Sequence, residues 1–100
     1  MYYMLEKVTG FDWYEGNFDK NLIKHDVQNW ECEQVFFNKP LIILDDHRHS
    51  LVEKRLAAFG KTDGGRLLTM IFTIRKSLIR VISARDMNKK ERIYYHDKAQ

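Results

Sequence analysis

Arginine, lysine and tyrosine crowd one short stretch, Arg80 to Tyr95, which reads RVISARDMNKKERIYY. Its first half is apolar enough for a strand carrying Arg80 and Arg85. Its second half reads as a helix that keeps Lys89, Lys90, Glu91, Arg92 and Tyr95 near the strand's end. A guanidinium is planar, permanently charged and able to meet two phosphate oxygens at once. A strand that delivers arginines to a cationic, aromatic helix therefore suits the binding, and the scission, of a polyanion.

The individual residues divide unevenly between chemistry and structure. Arg80 and Arg85 are five positions apart, so strand alternation places them on opposite faces unless the strand twists or Arg85 lies past its end. Arg85, at the strand–helix junction, is the stronger candidate for a catalytic cation. Arg80 reads equally well as a surface or salt-bridge residue, and Arg55 on a neighbouring strand has about even standing in the same cleft. Glu91 completes an N-x-x-E capping pattern with Asn88, so a structural role competes with that of a general base. Arg92 and Tyr95 share a helical face and suit a phosphate and a base, while one of Tyr94 and Tyr95 is expected to pack on the sheet. His25, beside Lys24, ends another helix; an imidazole moves protons near neutral pH, but it also commonly meets a helix's last carbonyls.

Other constellations are weaker. Asp45-Asp46-His47-Arg48-His49 has the donor types of a metal site, but these are crowded into one loop around an arginine and read as solvated surface. No metal and no cofactor are expected. Cys32, the one cysteine, permits no internal disulfide and reads as a small buried residue.

Composition places these residues in a single domain spanning 1–100. Forty-four per cent apolar and 13% aromatic content is ample for a core, and low-complexity tracts are absent. The longest apolar run, Leu67 to Ile74, is far short of a membrane span. MYYMLEKVTG lacks the basic start and cleavage site of a signal peptide, which suits a cytoplasmic protein. The net charge of +3 conceals an asymmetry: residues 1–50 carry 5 Lys/Arg against 9 Asp/Glu, or −4, and residues 51–100 carry 12 against 5, or +7. Positive potential is thus concentrated in the half that holds Arg80 to Tyr95.

The elements that must position these side chains follow from periodicity. Residues 2–8 are a weak strand or an ordered tail, and Phe11 to Trp13 suits an edge strand. Asn17 is a plausible cap for a helix through Lys24 with Phe18, Leu22 and Ile23 as its apolar stripe. Asn29 caps a second helix on which Trp30, Gln34 and Phe37 share a face widened by Val35 and Phe36; Asn38-Lys39-Pro40 ends it. Strands are expected at Leu41–Leu44, Glu53–Lys61, Arg66–Ile74 and Leu78–Arg85, with a tight turn at Thr62-Asp63-Gly64-Gly65 and the third strand central. The class is α+β: a twisted antiparallel sheet of about four strands, two N-terminal helices and one C-terminal helix.

The ordered combination of FDW, NLIKH at Asn21 to His25, VFF at Val35 to Phe37, HS at His49-Ser50, E-x-R at Glu53 to Arg55, Gly60, RVISAR at Arg80 to Arg85 and K-E-R with Tyr95 resembles the BrnT toxin family. The resemblance covers about residues 10–97 and leaves 1–9 as an extension. It implies a RelE-like fold and a type II toxin that cleaves RNA without a metal, blocks translation and arrests growth. It further implies a DNA-binding BrnA-type antitoxin that neutralises the toxin and represses the operon with it, in a heterotetramer. His25, Arg55, Arg85, Glu91 and Tyr95 would then be catalytic, and Lys24, Arg80, Lys89, Lys90 and Arg92 would bind RNA. One departure is Asp26, where the family's usual residue after K-H is glycine. The alternative is a non-catalytic RNA- or protein-binding module on the same fold; no helix-turn-helix pattern supports a DNA-binding regulator.

Overall fold

The computed structural model describes residues 3–46 and 53–99. A helical turn α1 (Tyr3–Glu6) leads to β1 (Gly10–Phe11), then α2 (Lys20–His25) and α3 (Asn29–Phe37). Four strands follow, β2 (Ile42–Asp45), β3 (Leu56–Lys61), β4 (Leu67–Arg75) and β5 (Leu78–Asp86), and α4 (Lys89–Ala99) closes the chain. The five-stranded sheet has the order β1-β5-β4-β3-β2. All neighbours are antiparallel except β1, which runs parallel to β5. The α+β class is as expected, whereas the sheet has one strand more than expected and is mixed. Residues 3–6 are helical where a strand or tail was anticipated, and β3 begins at Leu56 rather than Glu53.

Cross-strand pairing sorts the side chains into two layers. Leu56, Ala58, Leu68, Met70, Phe72, Ile79, Val81 and Ala84 form the main core with Val27, Cys32 and Val35 from the α2–α3 side. Phe59, Met87 and Tyr95 form a smaller core on the opposite face, where α4 packs with Ile42, Leu67 and Tyr94. β4 lies at the centre, as its nearly unbroken apolar run requires. Gly60 lets α3 approach β3, because a Cβ there would stand 2.7 Å from Val35 Cγ1. Gly65 supplies the positive φ of 89° that closes the β3–β4 turn.

The helices differ in detail from their apolar patterns. α2 starts after Asp19 rather than Asn17, and α3 is capped by Gln28 and Glu31 rather than by Asn29. Phe18, Ile23, Trp30 and Phe37 are exposed, and Ile23 reaches 83%. The buried side of α3 is Cys32 and Val35, with Phe36 packed beside them, and the buried residue of α2 is the polar Asn21. Both helices are too short for periodicity to fix a face. Asp26 ends α2 with φ 56° and ψ 40°, the left-handed conformation for which glycine is the usual choice and which Asp tolerates better than most.

Asn17 is spent on β5 instead of on a cap, and Asn21 joins it there. The β4–β5 register passes from Ile71↔Ser83 to Phe72↔Val81, so Ile82 is an extra residue, a β-bulge. The segment before β2 grips this bulge. Asn17 Nδ2 donates to the Val81 carbonyl at 3.0 Å, Lys20 Nζ to the Ile82 carbonyl at 2.9 Å, and the Ala84 amide donates to Asn21 Oδ1 at 2.9 Å. Asn21→Ala would orphan a buried amide, at a cost of about 1–3 kcal/mol. The expected outcome is a lower urea midpoint with an unchanged m-value; an unaltered midpoint would show that the grip is dispensable.

Candidate active site at the β5–α4 junction

The bulge corrects the placement of Arg80 and Arg85. One inserted residue turns a five-residue spacing into an even one, so both lie opposite the buried Ile79, Val81 and Ala84. Arg80 stands across from Thr73 and Arg85 across from Thr69, four residues apart on the unbulged β4. The two rows are therefore roughly 13 Å apart along the strands. Between them run Ser83, Ile71, Ala57 and Leu44, cross-strand neighbours on the same face. α4 packs over one end of that face and leaves Leu44 39% exposed.

Arg85 is tied to the first turn of α4. Its Nη1 and Nη2 donate to Glu91 Oε1 and Oε2 at 2.7 and 2.9 Å, and Nη1 also donates to the Asp86 carbonyl at 3.2 Å. A guanidinium has five N–H donors, so these three contacts leave donors for a phosphate oxygen. Its side chain is 41% exposed, against 17% for Glu91. Glu91 also accepts from Thr69 Oγ1 at 3.0 Å and from the Asn88 amide at 2.9 Å, while Asn88 Oδ1 accepts from the Glu91 amide at 2.8 Å. The capping box is thus formed, with its carboxylate serving at once as cap and as counter-ion.

Electrostatics follow from those contacts. Burial pushes the Glu91 carboxyl up, but hydrogen bonds from Arg85, the Asn88 amide and Thr69 outweigh it, and the net shift is downward. Arg85 is correspondingly raised by its hydrogen bonds to Glu91, against its own burial. Burial likewise pushes the Cys32 thiol up to about 12, which leaves it inert as a nucleophile.

The remaining candidates separate by position. Arg55, one residue before β3, lies at the Arg80 end of the face; its carbonyl accepts from the Asp46 amide at 3.0 Å. Arg80 is paired with Asp12 at 2.6 Å and lies over the Tyr14 ring at 4.2 Å, a surface salt bridge in the sense anticipated. Lys89 and Lys90 are exposed at the start of α4. Arg92 is exposed as well, and its Nη1 donates back to the Met87 carbonyl at 2.8 Å. Tyr95 is the tyrosine that packs: it is 3% exposed and donates its hydroxyl to the Pro40 carbonyl at 2.6 Å. His25 and Lys24 are exposed at the end of α2, on the layer opposite α4. Asp45 pairs with Lys54 at 3.4 Å, and His47 to His49 lie outside the described residues.

Sequence reasoning missed Arg66. Its guanidinium joins Asp86 at 2.7 Å, Glu31 at 3.2 Å and the Asp26 carbonyl at 2.8 Å, so it ties the ends of β5 and α2 to the start of α3. The charge asymmetry was its only signal, since Arg66 reads as the first residue of the strand Arg66–Ile74 and its partners are 20 to 41 positions away.

Because the folded pKa of Glu91 lies below its unfolded value, the pair contributes stability that is present above about pH 4.5 and lost as pH falls through the folded pKa. Glu91→Gln is expected to flatten that acid limb in urea midpoints taken as a function of pH. An acid limb as steep as the parent's would place the titration elsewhere.

Against this geometry, the family model described as the ribonuclease toxin BrnT of type II toxin–antitoxin systems matches residues 13–91. The match takes in the segment that grips the bulge, strands β2 to β5 and the Arg85–Glu91 pair. A search of curated proteins returns no match. The chain belongs to the BrnT family of ribonuclease toxins of type II toxin–antitoxin systems.

Proposed function

We propose that this chain is an endoribonuclease that cuts RNA without a metal ion: a 2′-hydroxyl attacks the adjacent phosphate at Arg85, the bond to the 5′-oxygen breaks, and a 2′,3′-cyclic phosphate and a 5′-hydroxyl protonated by water are left. The observation that carries this reading is the half-exposed Arg85, held bidentately at the edge of an open sheet face and still possessing free donors. A dianionic phosphorane gains most from a fixed, planar cation in place before the charge develops. An entering phosphate competes with Glu91 for Arg85. Once released, Glu91 keeps its burial but loses the contact that most lowers its pKa, so its carboxylate moves toward the range of a general base beside the 2′-hydroxyl. Arg80 and Arg55, a row away, suit the flanking phosphates, and exposed Lys89, Lys90 and Arg92 add positive potential on that face; Lys24, on the opposite layer, meets RNA only where the strand runs past the sheet.

In the cell such an activity blocks translation and arrests growth. A BrnA-type DNA-binding antitoxin covers the cleft, and the pair represses its own operon as a heterotetramer. The other reading, a binding module without turnover, draws on the engagement of Glu91 by three partners at once.

Purified protein incubated with single-stranded RNA in excess EDTA is expected to cleave it. RNA that stays intact there but is cut when magnesium is restored would overturn the metal-free mechanism. Arg85→Ala is expected to lower kcat by roughly a hundredfold or more while circular dichroism stays native. It should also relieve growth arrest on expression without antitoxin. A variant as active as the parent would remove Arg85 from the chemistry.

A further inference from the structure

An apolar pocket of about 260 Å³ opens beside the Arg85–Glu91 pair, lined by Leu44, Phe59, Tyr94, Lys90 and Glu91. Phe59 is its floor, 9% exposed, with the Tyr94 ring edge-on to it at 5.8 Å. Leu44, on the edge strand β2, lines it as well and is 39% exposed. Lys90 closes the rim, and Lys98 Nζ lies 5.7 Å over the Tyr94 ring.

We infer that this pocket receives one unpaired base of a single-stranded RNA, next to the phosphate engaged by Arg85; the inference rests on the ribonuclease reading above. Three observations carry it. The apolar and aromatic lining suits a planar, poorly hydrated ring, and an aromatic side chain that borders open space can stack with any base. The rim is cationic, with Lys90, Lys98 and Arg85 placed for the phosphates that a splayed-out nucleotide brings with it. Glu91 is shared between the pocket wall and the Arg85 pair, so a base in the pocket places its own backbone at that arginine. Tyr94 and Tyr95 thereby divide their work: Tyr95 anchors α4 to the sheet, and Tyr94 presents its ring to the substrate. Lys90, a donor only, favours a base edge that offers an acceptor.

The test measures binding and cleavage separately. A 2′-O-methyl oligonucleotide cannot be cut by 2′-hydroxyl attack, so its affinity reads the pocket whatever the chemistry does. Moving a single abasic position along it is expected to weaken binding at one position by roughly tenfold or more. Tyr94→Leu keeps apolar packing on Phe59 but removes the aromatic face, and Leu44→Ser opens the lining from an exposed position. Both are expected to weaken binding of the intact oligonucleotide by a similar factor and to erase the difference at that position, with urea midpoints near the parent's. A parent that binds every abasic variant equally, or variants that retain the full difference, would overturn the subsite. Position-dependent binding with no cleavage of ordinary RNA would uphold the subsite and overturn the ribonuclease reading instead.

Discussion

The structure depends on a grip: Asn17, Lys20 and Asn21 holding the backbone of β5 where it bulges at Ile82. A strand with an extra residue has polar groups that its neighbour cannot satisfy, and β1 is too short to cover them beyond Ile79. Three side chains from one short segment do so instead. Asn21 gives up its own solvation for this and is 1% exposed. The consequence is functional as much as structural. Without the bulge Arg80 and Arg85 would face opposite layers, and the sheet could not present them on one surface.

Arginines on both sides of the sheet are held in place by carboxylates. Asp12 holds Arg80, Glu31 and Asp86 hold Arg66, and Glu91 holds Arg85. The pairs differ in consequence because they differ in exposure and in what else each partner does. Arg66 is 28% exposed and has three separate elements to join, so moving it would part α2, α3 and β5. Arg80 has a second commitment to the Tyr14 ring. Arg85 is more exposed than either, and its partner is also the cap of α4. An arginine that is preorganised but still accessible is what charge stabilisation in a transition state requires, since little reorganisation is then left to occur.

How far the sequence disclosed this depends on whether the signal is local. The Thr62 to Gly65 turn, the central β4 and the Asn88–Glu91 cap rest on patterns within a few residues, and each reads clearly. The faces of α2 and α3 do not, because six and nine residues hold too few turns for an apolar stripe to outweigh tertiary context, and Trp30, Phe37 and Ile23 ended outside. Asn17 and Asn29 look like caps by type alone, yet Asn17 is consumed by a strand 64 positions away. The bulge itself has no local signature in RVISAR, so strict alternation misplaced Arg80. Nothing in IYY distinguishes Tyr94 from Tyr95; only the docking of α4 against Phe59 and Pro40 decides which is buried.

The opposed charges of the two halves acquire a physical meaning once folded. Acids of the first half, Asp12 and Glu31, meet arginines of the second, Arg80 and Arg66, and in both cases the pair ties a segment before β2 to the sheet. These contacts offset the charges of Arg80 and Arg66. At the start of α4, Lys89 and Lys90 stay exposed beside Arg85. A modest net charge can therefore coexist with an uneven surface, because Asp12, Glu31 and Asp86 cancel Arg80 and Arg66 while Lys89 and Lys90 stay exposed. A basic patch confined to one end of one face steers a polyanion to that end.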